Sequence, residues 1–233
     1  MLEFSTARII VMPASDFHER MLFADQISGL QRAADGPQAP LLVFTSPRSV
    51  EFGLGQVPPD VLAGAQVAAI GPSTARLLEA SGICVNIRPQ RGYTSEDLLE
   101  SLSRQEKANG RQPRPAFILT APGGRTTLKE GLLAQGYEPH MLMVYESRST
   151  ELLPAAVAAI EYAATLLAVW TSANTMHALS QRLPASCWSR LCRADWLVIS
   201  ERLQRLARAY NPAHIHLAAG PANADIAAAV KAL

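Results

Sequence analysis

The residues best suited to chemistry lie in five turns, each of which follows an apolar run and precedes a helical pattern. The turns read FTSPRS, IGPSTA, LTAPGGRTT, WTSANT and VISERL. Each offers Ser or Thr as a helix cap, and four carry an arginine in or just after the turn: Arg48, Arg76, Arg125 and Arg202. Hydroxyls, guanidinium groups and the free N–H groups of helix starts all bind carboxylates and phosphates. The turns therefore predict either simple helix caps or, where they converge, a site for an anionic ligand.

Several other kinds of site are not supported by the residue spacing. No GxGxxG follows a strand-like run and no P-loop lysine occurs, so a nucleotide cofactor is not expected, and PGGR is too weak a signal for a phosphate loop. Cys84, Cys187 and Cys192 match neither a zinc site nor a disulfide framework and are predicted to be reduced, buried thiols. The histidines are scattered, and none is assigned a catalytic role: His18, His140, His177, His214 and His216.

Short, continuous apolar runs indicate strands that are buried on both faces. The runs are ARIIVM, PLLVFTS, QVAAI, ICVNI, AFILTA, HMLMVY, TLLAVWTS, DWLVIS and HIHLAA. Helical patterns lie between most of them, such as STARLLEASG ending at Gly82, TTLKEGLLAQG ending at Gly136, and ERLQRLARAY stopped by Asn211 and Pro212. This alternation predicts an α/β protein with parallel sheets covered by helices. So many strands in this length favour two similar small domains over a single sheet.

An internal repeat also supports two domains. LLVFTSPRSVEFGL and LLAVWTSANTMHAL each contain a strand that ends in Thr-Ser. AIGPSTARLLEASG then corresponds to VISERLQRLARAYN, and YTSEDLLESL to GPANADIAAAVKAL, in the same order and at similar intervals. Chance similarity between helices rich in Ala and Leu is the alternative, but three matching strand-turn-helix units favour two copies of one α/β module. Ligands bind at the carboxyl ends of strands in such modules, which favours a cleft between them.

The composition is that of an ordinary globular protein, with 233 residues, 48% hydrophobic residues, 18% charged residues and a formal net charge of +1. No long run of like charges suggests nucleic acid or a membrane surface as a partner. The longest apolar stretches are too short to span a bilayer, and the N-terminal residues show no secretion signal. We therefore expect a cytoplasmic protein, and a monomer because the surface helices show no apolar stripe.

Several of these segments together resemble the uroporphyrinogen-III synthase family. They are FTSPRSVEF, AIGPSTARLLEASGI with YTSEDLL, ILTAPGGRTTLKEGLLAQGYEPHMLMVYES, WTSAN, VISERLQRLA and GPANADIAAAVKAL. In that family one α/β domain is inserted into the other through two extended linkers. The resemblance implies a discontinuous domain at residues 1–34 and 151–233, an inserted domain at 35–143, and linkers near 14–38 and 143–151. The family usually has a complete strand and helix before the counterpart of ARIIVM, so the first βα unit is missing from the pattern and the discontinuous domain is expected to be one strand short.

The resemblance also implies a reaction that needs no metal or organic cofactor. Members of the family cyclise hydroxymethylbilane, a linear tetrapyrrole with many carboxylates, with loss of water and inversion of the last pyrrole ring. The chain would then be a cyclising hydro-lyase of haem and porphyrin biosynthesis, with a small-molecule substrate. Two alternatives stay open, namely a non-catalytic two-domain hinge-type anion-binding protein and an inactive, truncated relic of the synthase fold.

Site residues carry over from the family at a few positions. Tyr145, in LMVYES, matches a tyrosine proposed to assist loss of the hydroxyl, and the alternative is a linker tyrosine that packs between domains. Thr74 and Ser46 match polar positions of the family's cleft, whereas Leu203 stands where some members have threonine. The residues expected to bind substrate all belong to the turns: Thr45, Ser46, Arg48, Gly71, Ser73, Thr74, Gly124, Arg125, Thr171, Ser172, Ser200 and Arg202.

Overall fold

The protein divides into two compact units. The structure, a computed structural model, describes residues 8–109, 114–123 and 126–233. One unit, called the continuous unit here, consists of Phe17–Ser147. The other, the split unit, combines Met1–Asp16 with Arg148–Leu233. Each unit has its own sheet, and the continuous unit has two hydrophobic cores whereas the split unit has one among the described residues.

Strands and helices alternate along most of the chain. The strands are β1 (Ser15–Glu19), β2 (Leu41–Phe44), β3 (Gln66–Ala69), β4 (Pro115–Thr120), β5 (Glu138–Met143), β6 (Tyr145–Ser149), β7 (Leu167–Trp170), β8 (Asp195–Val198) and β9 (His214–Leu217). The helices are α1 (Ala24–Ala34), α2 (Pro47–Gly53), α3 (Pro59–Gly64), α4 (Pro72–Ala80), α5 (Ser95–Asn109), α6 (Thr127–Ala134), α7 (Pro154–Tyr162), α8 (Ala173–Arg182), α9 (Ala185–Cys192), α10 (Glu201–Ala207) and α11 (Asn223–Lys231). Short 3₁₀ turns follow α2 and α10.

The continuous unit is a parallel sheet with helices on both faces. Its strand order is β3-β2-β4-β5, and every pairing is parallel. Successive side chains of a strand point to opposite faces, so Leu42 and Phe44 enter one core while Leu41 and Val43 enter another. Helices α1 to α4 contribute buried residues to the first core, and α5 and α6 contribute to the second. This explains why the strands read as uninterrupted apolar runs.

The split unit has a smaller parallel sheet, in the order β7-β8-β9. Parallel strands that follow one another in a single direction require right-handed crossovers, which place their helices on the same face. Buried residues of α8, α9 and α10 accordingly share one core with Trp170 and Trp196. Trp196 is fully buried, and its Nε1 donates a hydrogen bond to the carbonyl of Leu191 at 2.7 Å. Among the described residues, β7 pairs only with β8.

The chain passes between the units at two neighbouring places, because β1 and β6 pair with each other and contain the boundaries after Asp16 and after Ser147. Gln56 anchors the segment that follows β1: its Oε1 accepts the Leu22 N–H at 2.7 Å and its Nε2 donates to the Arg20 carbonyl at 3.1 Å. Residues 17–34, assigned to the discontinuous domain from the sequence, belong to the continuous unit, and the segment near 14–38 includes helix α1. The division into residues 1–34 with 151–233, 35–143 and two extended linkers stays a prediction.

The α/β class with parallel sheets covered by helices is confirmed, but three strand predictions differ from the structure. Residues 8–12 of ARIIVM form no strand, and Ile9 and Val11 are 66% and 73% exposed. ICVNI makes only an isolated bridge, between Ile87 and Ala68. HMLMVY is not one strand, since β5 ends at Met143 and Tyr145 begins β6. A strand exists only where a neighbour offers a ladder of hydrogen bonds, and an apolar run does not reveal that neighbour.

The predicted helix ends agree closely with the structure. Gly82 and Gly136 follow α4 and α6 with φ of 80° and 83°. Asn211 stops the turn after α10 with φ of 50°. Left-handed residues at these positions satisfy helix carbonyls through short-range bonds, so the signal is local and readable from sequence.

Candidate functional site

A cleft of about 410 Å³ lies in the continuous unit at the carboxyl ends of its strands. Thr45 and Ile70, which follow β2 and β3, and Thr120, which ends β4, line its floor together with Met141 of β5. In open parallel sheets this is the edge at which helices begin and ligands bind. The cleft is therefore the candidate site of this unit.

Tyr145 places its phenol in the cleft. Its ring packs edge-on against Phe17 and stacks on Phe52, with centroid separations of 6.0 Å in both cases. Its hydroxyl lies 3.1 Å from Ser46 Oγ, close enough for a hydrogen bond in either direction. Two aromatic contacts and one polar contact thus fix the ring of this cleft-lining residue.

Ser46 is the N-cap of α2 and serves two partners. Its Oγ accepts the Ser49 N–H at 3.1 Å, and the Ser46 N–H donates to Ser49 Oγ at 3.2 Å. A serine hydroxyl has one proton and two acceptor lone pairs, so the proton and one lone pair are left for Tyr145. Thr45 beside it donates from Oγ1 to the Leu119 carbonyl at 2.9 Å, which holds the end of β2 against β4.

Tyr93, Thr94 and Ser95 form another part of the wall, at the start of α5. The Thr94 N–H donates to Asp97 Oδ2 at 2.8 Å, the Thr94 hydroxyl bonds the same oxygen, and the Asp97 N–H donates back to Thr94 Oγ1 at 3.3 Å. The hydrogen bonds from the Thr94 side chain and backbone hold the pKa of Asp97 below its usual value. This reciprocal pair caps the helix and fixes the segment that precedes it.

Lys129 is the one charged side chain among the described residues that line the cleft. It lies in the first turns of α6 and is exposed. It forms no ion pair with a carboxylate among the residues that the structure describes. The other lining groups are hydroxyls and apolar side chains, so the described wall mixes polar and apolar surface, carries one positive charge and has no carboxylate.

The structure brings together only some of the residues predicted for the continuous unit. Thr45, Ser46 and Tyr145 meet in the cleft. Arg48 does not line it, because its guanidinium lies 4.9 Å from the Phe17 ring centre and pairs with Glu51. The turn before α4 also stays outside the lining: Gly71 is the N-cap, Ser73 is exposed and Thr74 is only 1% exposed within the helix. Gly124 and Arg125 lie outside the described residues.

In the split unit, two predicted residues are helix caps. Ser172 Oγ accepts the Thr175 N–H at 3.4 Å, and Ser200 Oγ accepts the Leu203 N–H at 3.3 Å. Thr171 precedes Ser172 and is exposed, and Arg202 is exposed in the first turn of α10. The predicted Ser or Thr cap is thus confirmed at Ser46, Ser172 and Ser200. It is wrong for the turn before α4, where the N-cap is Gly71, and Thr126 before α6 makes no side-chain cap bond. A substrate-binding role in these turns stays a prediction.

Sequence reasoning did not select Tyr93, Thr120 or Lys129. The segment YTSED contained a signal, since Thr followed three residues later by Asp before an apolar run marks a capped helix start. Thr120 is the last residue of β4 and Thr45 follows the last residue of β2, and this shared position at a strand end was the available cue. Lys129 carries no such cue, because a lysine on a helix usually faces water.

The described residues contain no group of histidines, cysteines and carboxylates that could hold a metal ion. All three cysteines are free; Cys187 is buried, whereas Cys84 is exposed and Cys192 only half-buried, so the prediction of buried thiols is right for one of them. Burial raises the pKa of the Cys192 thiol. No helix within residues 8–109, 114–123 and 126–233 is long and apolar enough to cross a membrane.

Comparison with protein families gives a match over nearly the whole chain: the model of uroporphyrinogen-III synthase HemD matches residues 2–228. A comparison with curated protein sequences yields no significant match.

Solved structures of uroporphyrinogen-III synthases resemble the fold. Uroporphyrinogen-III synthetase from Helicobacter pylori aligns with 100% of this chain and 96% of its own length, with a TM-score of 0.64 and 14% identity. A mutant uroporphyrinogen III synthase from the extremely thermophilic bacterium Thermus thermophilus aligns with 94% of this chain and 85% of its own, with a TM-score of 0.55 and 16% identity. At these identities the likeness concerns the fold.

Proposed function

Because this chain belongs to the uroporphyrinogen-III synthase family, we propose that it cyclises hydroxymethylbilane to uroporphyrinogen III with release of one water molecule. The C–O bond of the terminal hydroxymethyl group breaks, its oxygen takes up a proton and leaves as water, and the pyrrole nitrogen supplies electrons to form an azafulvene. The substituted carbon of the last pyrrole attacks the azafulvene methylene to give a spiro intermediate. That intermediate opens at the neighbouring bridge and recloses with the ring inverted, and loss of a proton restores the pyrrole.

Tyr145 is the group proposed to assist departure of the hydroxyl. The observation that carries this role is the position of its phenol in the cleft, 3.1 Å from Ser46 Oγ. When Ser46 donates its proton to the Tyr145 oxygen, the Tyr145 proton is free to point at the leaving oxygen. A positioned phenol can then deliver a hydrogen bond or a proton as the C–O bond breaks.

The protein must also hold the flexible, polyanionic substrate in one geometry. It need not supply a nucleophile, because the pyrroles of the substrate provide it. Hydroxyls, backbone N–H groups and cations suit the carboxylates of such a substrate. We assign this binding role to the turns of both units: Thr45, Ser46, Arg48, Gly71, Ser73, Thr74, Gly124, Arg125, Thr171, Ser172, Ser200 and Arg202. The start of a helix beyond a strand end is the feature that these turns share.

We also propose that the chain acts as a monomer in the cytoplasm. The three free cysteines suit a reducing compartment. Light scattering of the purified protein measures the molar mass directly, and a mass of twice 25.1 kDa would contradict the monomer.

The test of the function is cyclisation of freshly prepared hydroxymethylbilane, with chromatographic separation of the type I and type III products. Hydroxymethylbilane closes spontaneously to the type I isomer, so only the type III isomer reports enzymatic inversion of the last ring. We expect type III product in proportion to the protein added. A type I product alone, at the rate of the buffer control, would contradict the proposed activity and would favour a binding protein or an inactive relative.

A further inference from the structure

Tyr93 has an unusual backbone conformation for a large aromatic residue. Its φ is 56°, in the left-handed region that glycine and asparagine occupy readily and bulky side chains rarely do. Gly92 before it also has a positive φ, of 81°. Two consecutive left-handed residues turn the chain sharply just before α5, and tyrosine is a sterically poor choice for the second.

The neighbouring residues fix this turn from both sides. On the C-terminal side, Thr94 is tied to Asp97 by the reciprocal cap bonds. On the N-terminal side, a Cβ added at Gly92 would collide with the Asp97 carboxylate, so the backbone there passes directly over the cap. Strained residues persist where the surroundings determine them in this way, and they concentrate at sites of function.

Burial does not explain why tyrosine occupies this position. Its side chain is 50% exposed, and it is absent from the described members of both cores of the continuous unit. Nor does its ring contact another aromatic ring among the residues that the structure describes. Instead it lines the cleft, where the apolar side chains of Leu128 and Met141 also lie.

Lys129 adds a positive charge to this part of the wall. It is the one charge in the described lining, and it is exposed without a carboxylate partner among the described residues. An aromatic face and an ammonium group in one cleft match the two features of a substituted pyrrole, namely a flat π-system and a carboxylate on a short flexible arm.

We propose that Tyr93 and Lys129 form a subsite for one pyrrole ring of the tetrapyrrole, with the ring against the Tyr93 face and one of its carboxylates on the Lys129 ammonium. This inference rests on the proposed function for the class of ligand. The strained turn fixes the direction in which the Tyr93 side chain leaves the backbone, so only its side-chain torsions remain to be ordered when substrate binds.

Kinetics of type III formation test the subsite. Tyr93→Asn removes the ring but suits the left-handed backbone, so we expect a KM about three- to tenfold higher, little change in kcat, and a Tm equal to or above that of the wild type. Tyr93→Phe keeps the ring and should keep the wild-type KM. Lys129→Gln should raise KM and weaken the dependence of KM on salt. Lys129→Arg keeps the positive charge, so both KM and its salt dependence should stay close to those of the wild type. Lys231→Gln, an exposed lysine at the end of α11, is the matched control and should change neither.

The double variant Tyr93→Asn with Lys129→Gln tests whether the two residues hold the same ring. If they do, its KM rises by less than the product of the two single effects, because the second change acts on a ring that is already loosened. A rise equal to that product would mean independent contacts and would overturn the single-ring subsite. Single variants with the wild-type KM would overturn it outright.

A binding experiment separates failure of the subsite from failure of the proposed activity. Uroporphyrin III is a stable tetrapyrrole with the same carboxylate arms, and its fluorescence reports binding without turnover. We expect Tyr93→Asn and Lys129→Gln to raise its Kd whether or not the wild type makes type III product. An active wild type whose variants bind uroporphyrin III as tightly as it does would refute the subsite alone. A wild type that neither binds it nor cyclises substrate would refute both proposals.

Discussion

Tyr145 is the residue to which proton transfer is assigned, and its contacts make it suitable for a conservative test. Tyr145→Phe keeps the ring that packs on Phe17 and Phe52 but removes the hydroxyl. General acid assistance contributes about 10²- to 10⁴-fold to a rate, whereas a supporting hydrogen bond contributes about tenfold. We therefore expect the substitution to lower kcat by a factor between about 10 and 10⁴. KM and Tm should change little. The product should still be type III, because the geometry of the bound chain selects the isomer.

Tyr210→Phe is the control for Tyr145→Phe, since Tyr210 also directs its hydroxyl at a polar neighbour, His177, but belongs to the split unit. It should leave kcat unchanged. A Tyr145→Phe protein that turns over at the wild-type rate would make Tyr145 a packing residue.

Ser46 links the helix cap to the tyrosine, which gives a prediction of coupling. Ser46→Ala removes the acceptor of the Ser49 N–H and the partner of the Tyr145 hydroxyl, so we expect about 0.5–2 kcal/mol lower stability and a lower kcat. In a Tyr145→Phe background the same substitution should still lower stability but should have no further effect on kcat, because the hydroxyl that it positions is gone. Equal kcat losses in both backgrounds would contradict a positioning role.

Some residues of the cleft could be predicted from the sequence and others could not. Ser46 and Tyr145 stood out because they belong to turn and linker motifs whose order along the chain is informative. Tyr93 and Lys129 did not, because a left-handed φ and the direction in which a helical lysine faces depend on the folded surroundings. Arg48 is a different case: its turn position suggests a ligand, but its guanidinium pairs with Glu51 and lies against Phe17, so its substrate-binding role stays a prediction.

Among the helices, α5 has a start whose stability depends on pH. Hydrogen bonds from Thr94 lower the pKa of Asp97 in the folded protein, so the folded state favours the charged carboxylate. This contribution is fully present above the unfolded pKa of about 3.9 and is lost as pH falls through the lower folded value. We expect Asp97→Asn to lower Tm at neutral pH, and the difference from wild type to shrink in thermal scans below about pH 4. A difference that stays constant with pH would contradict a charge-dependent cap.

Elements whose ends are set by local chemistry were the most predictable. The glycines after α4 and α6 and the serines before α2, α8 and α10 all act through bonds to residues a few positions away. The failures were strands, since residues 8–12 form none and the segment around Ile87 makes only an isolated bridge to Ala68. Local patterns specify what a segment prefers, and tertiary pairing decides whether a strand forms.

Among the described residues, each hydrophobic core draws its members from a single unit, and all three tryptophans belong to the split unit. Trp170, Trp188 and Trp196 pack together in the split unit, and the chain has three tryptophans in all. Intrinsic fluorescence should therefore follow unfolding of the split unit, whereas far-UV circular dichroism follows both. We expect Asp97→Asn, in the continuous unit, to shift the dichroism transition and leave the fluorescence transition in place. Equal shifts by both probes would show that the units unfold as one.

The split arrangement also sets an order of events during synthesis on the ribosome. The continuous unit is complete once Ser147 has emerged, but the leading segment of the split unit needs partners that come later. The carbonyl of Ala14 accepts a hydrogen bond from Arg182 at 2.8 Å, and that of Pro13 accepts one from Thr150 at 2.9 Å. At about 5–20 residues per second, Arg182 follows Ala14 by roughly ten to thirty seconds, far longer than small domains need to fold. The continuous unit can therefore fold first, while the segment that precedes it remains without its partners until they are synthesised.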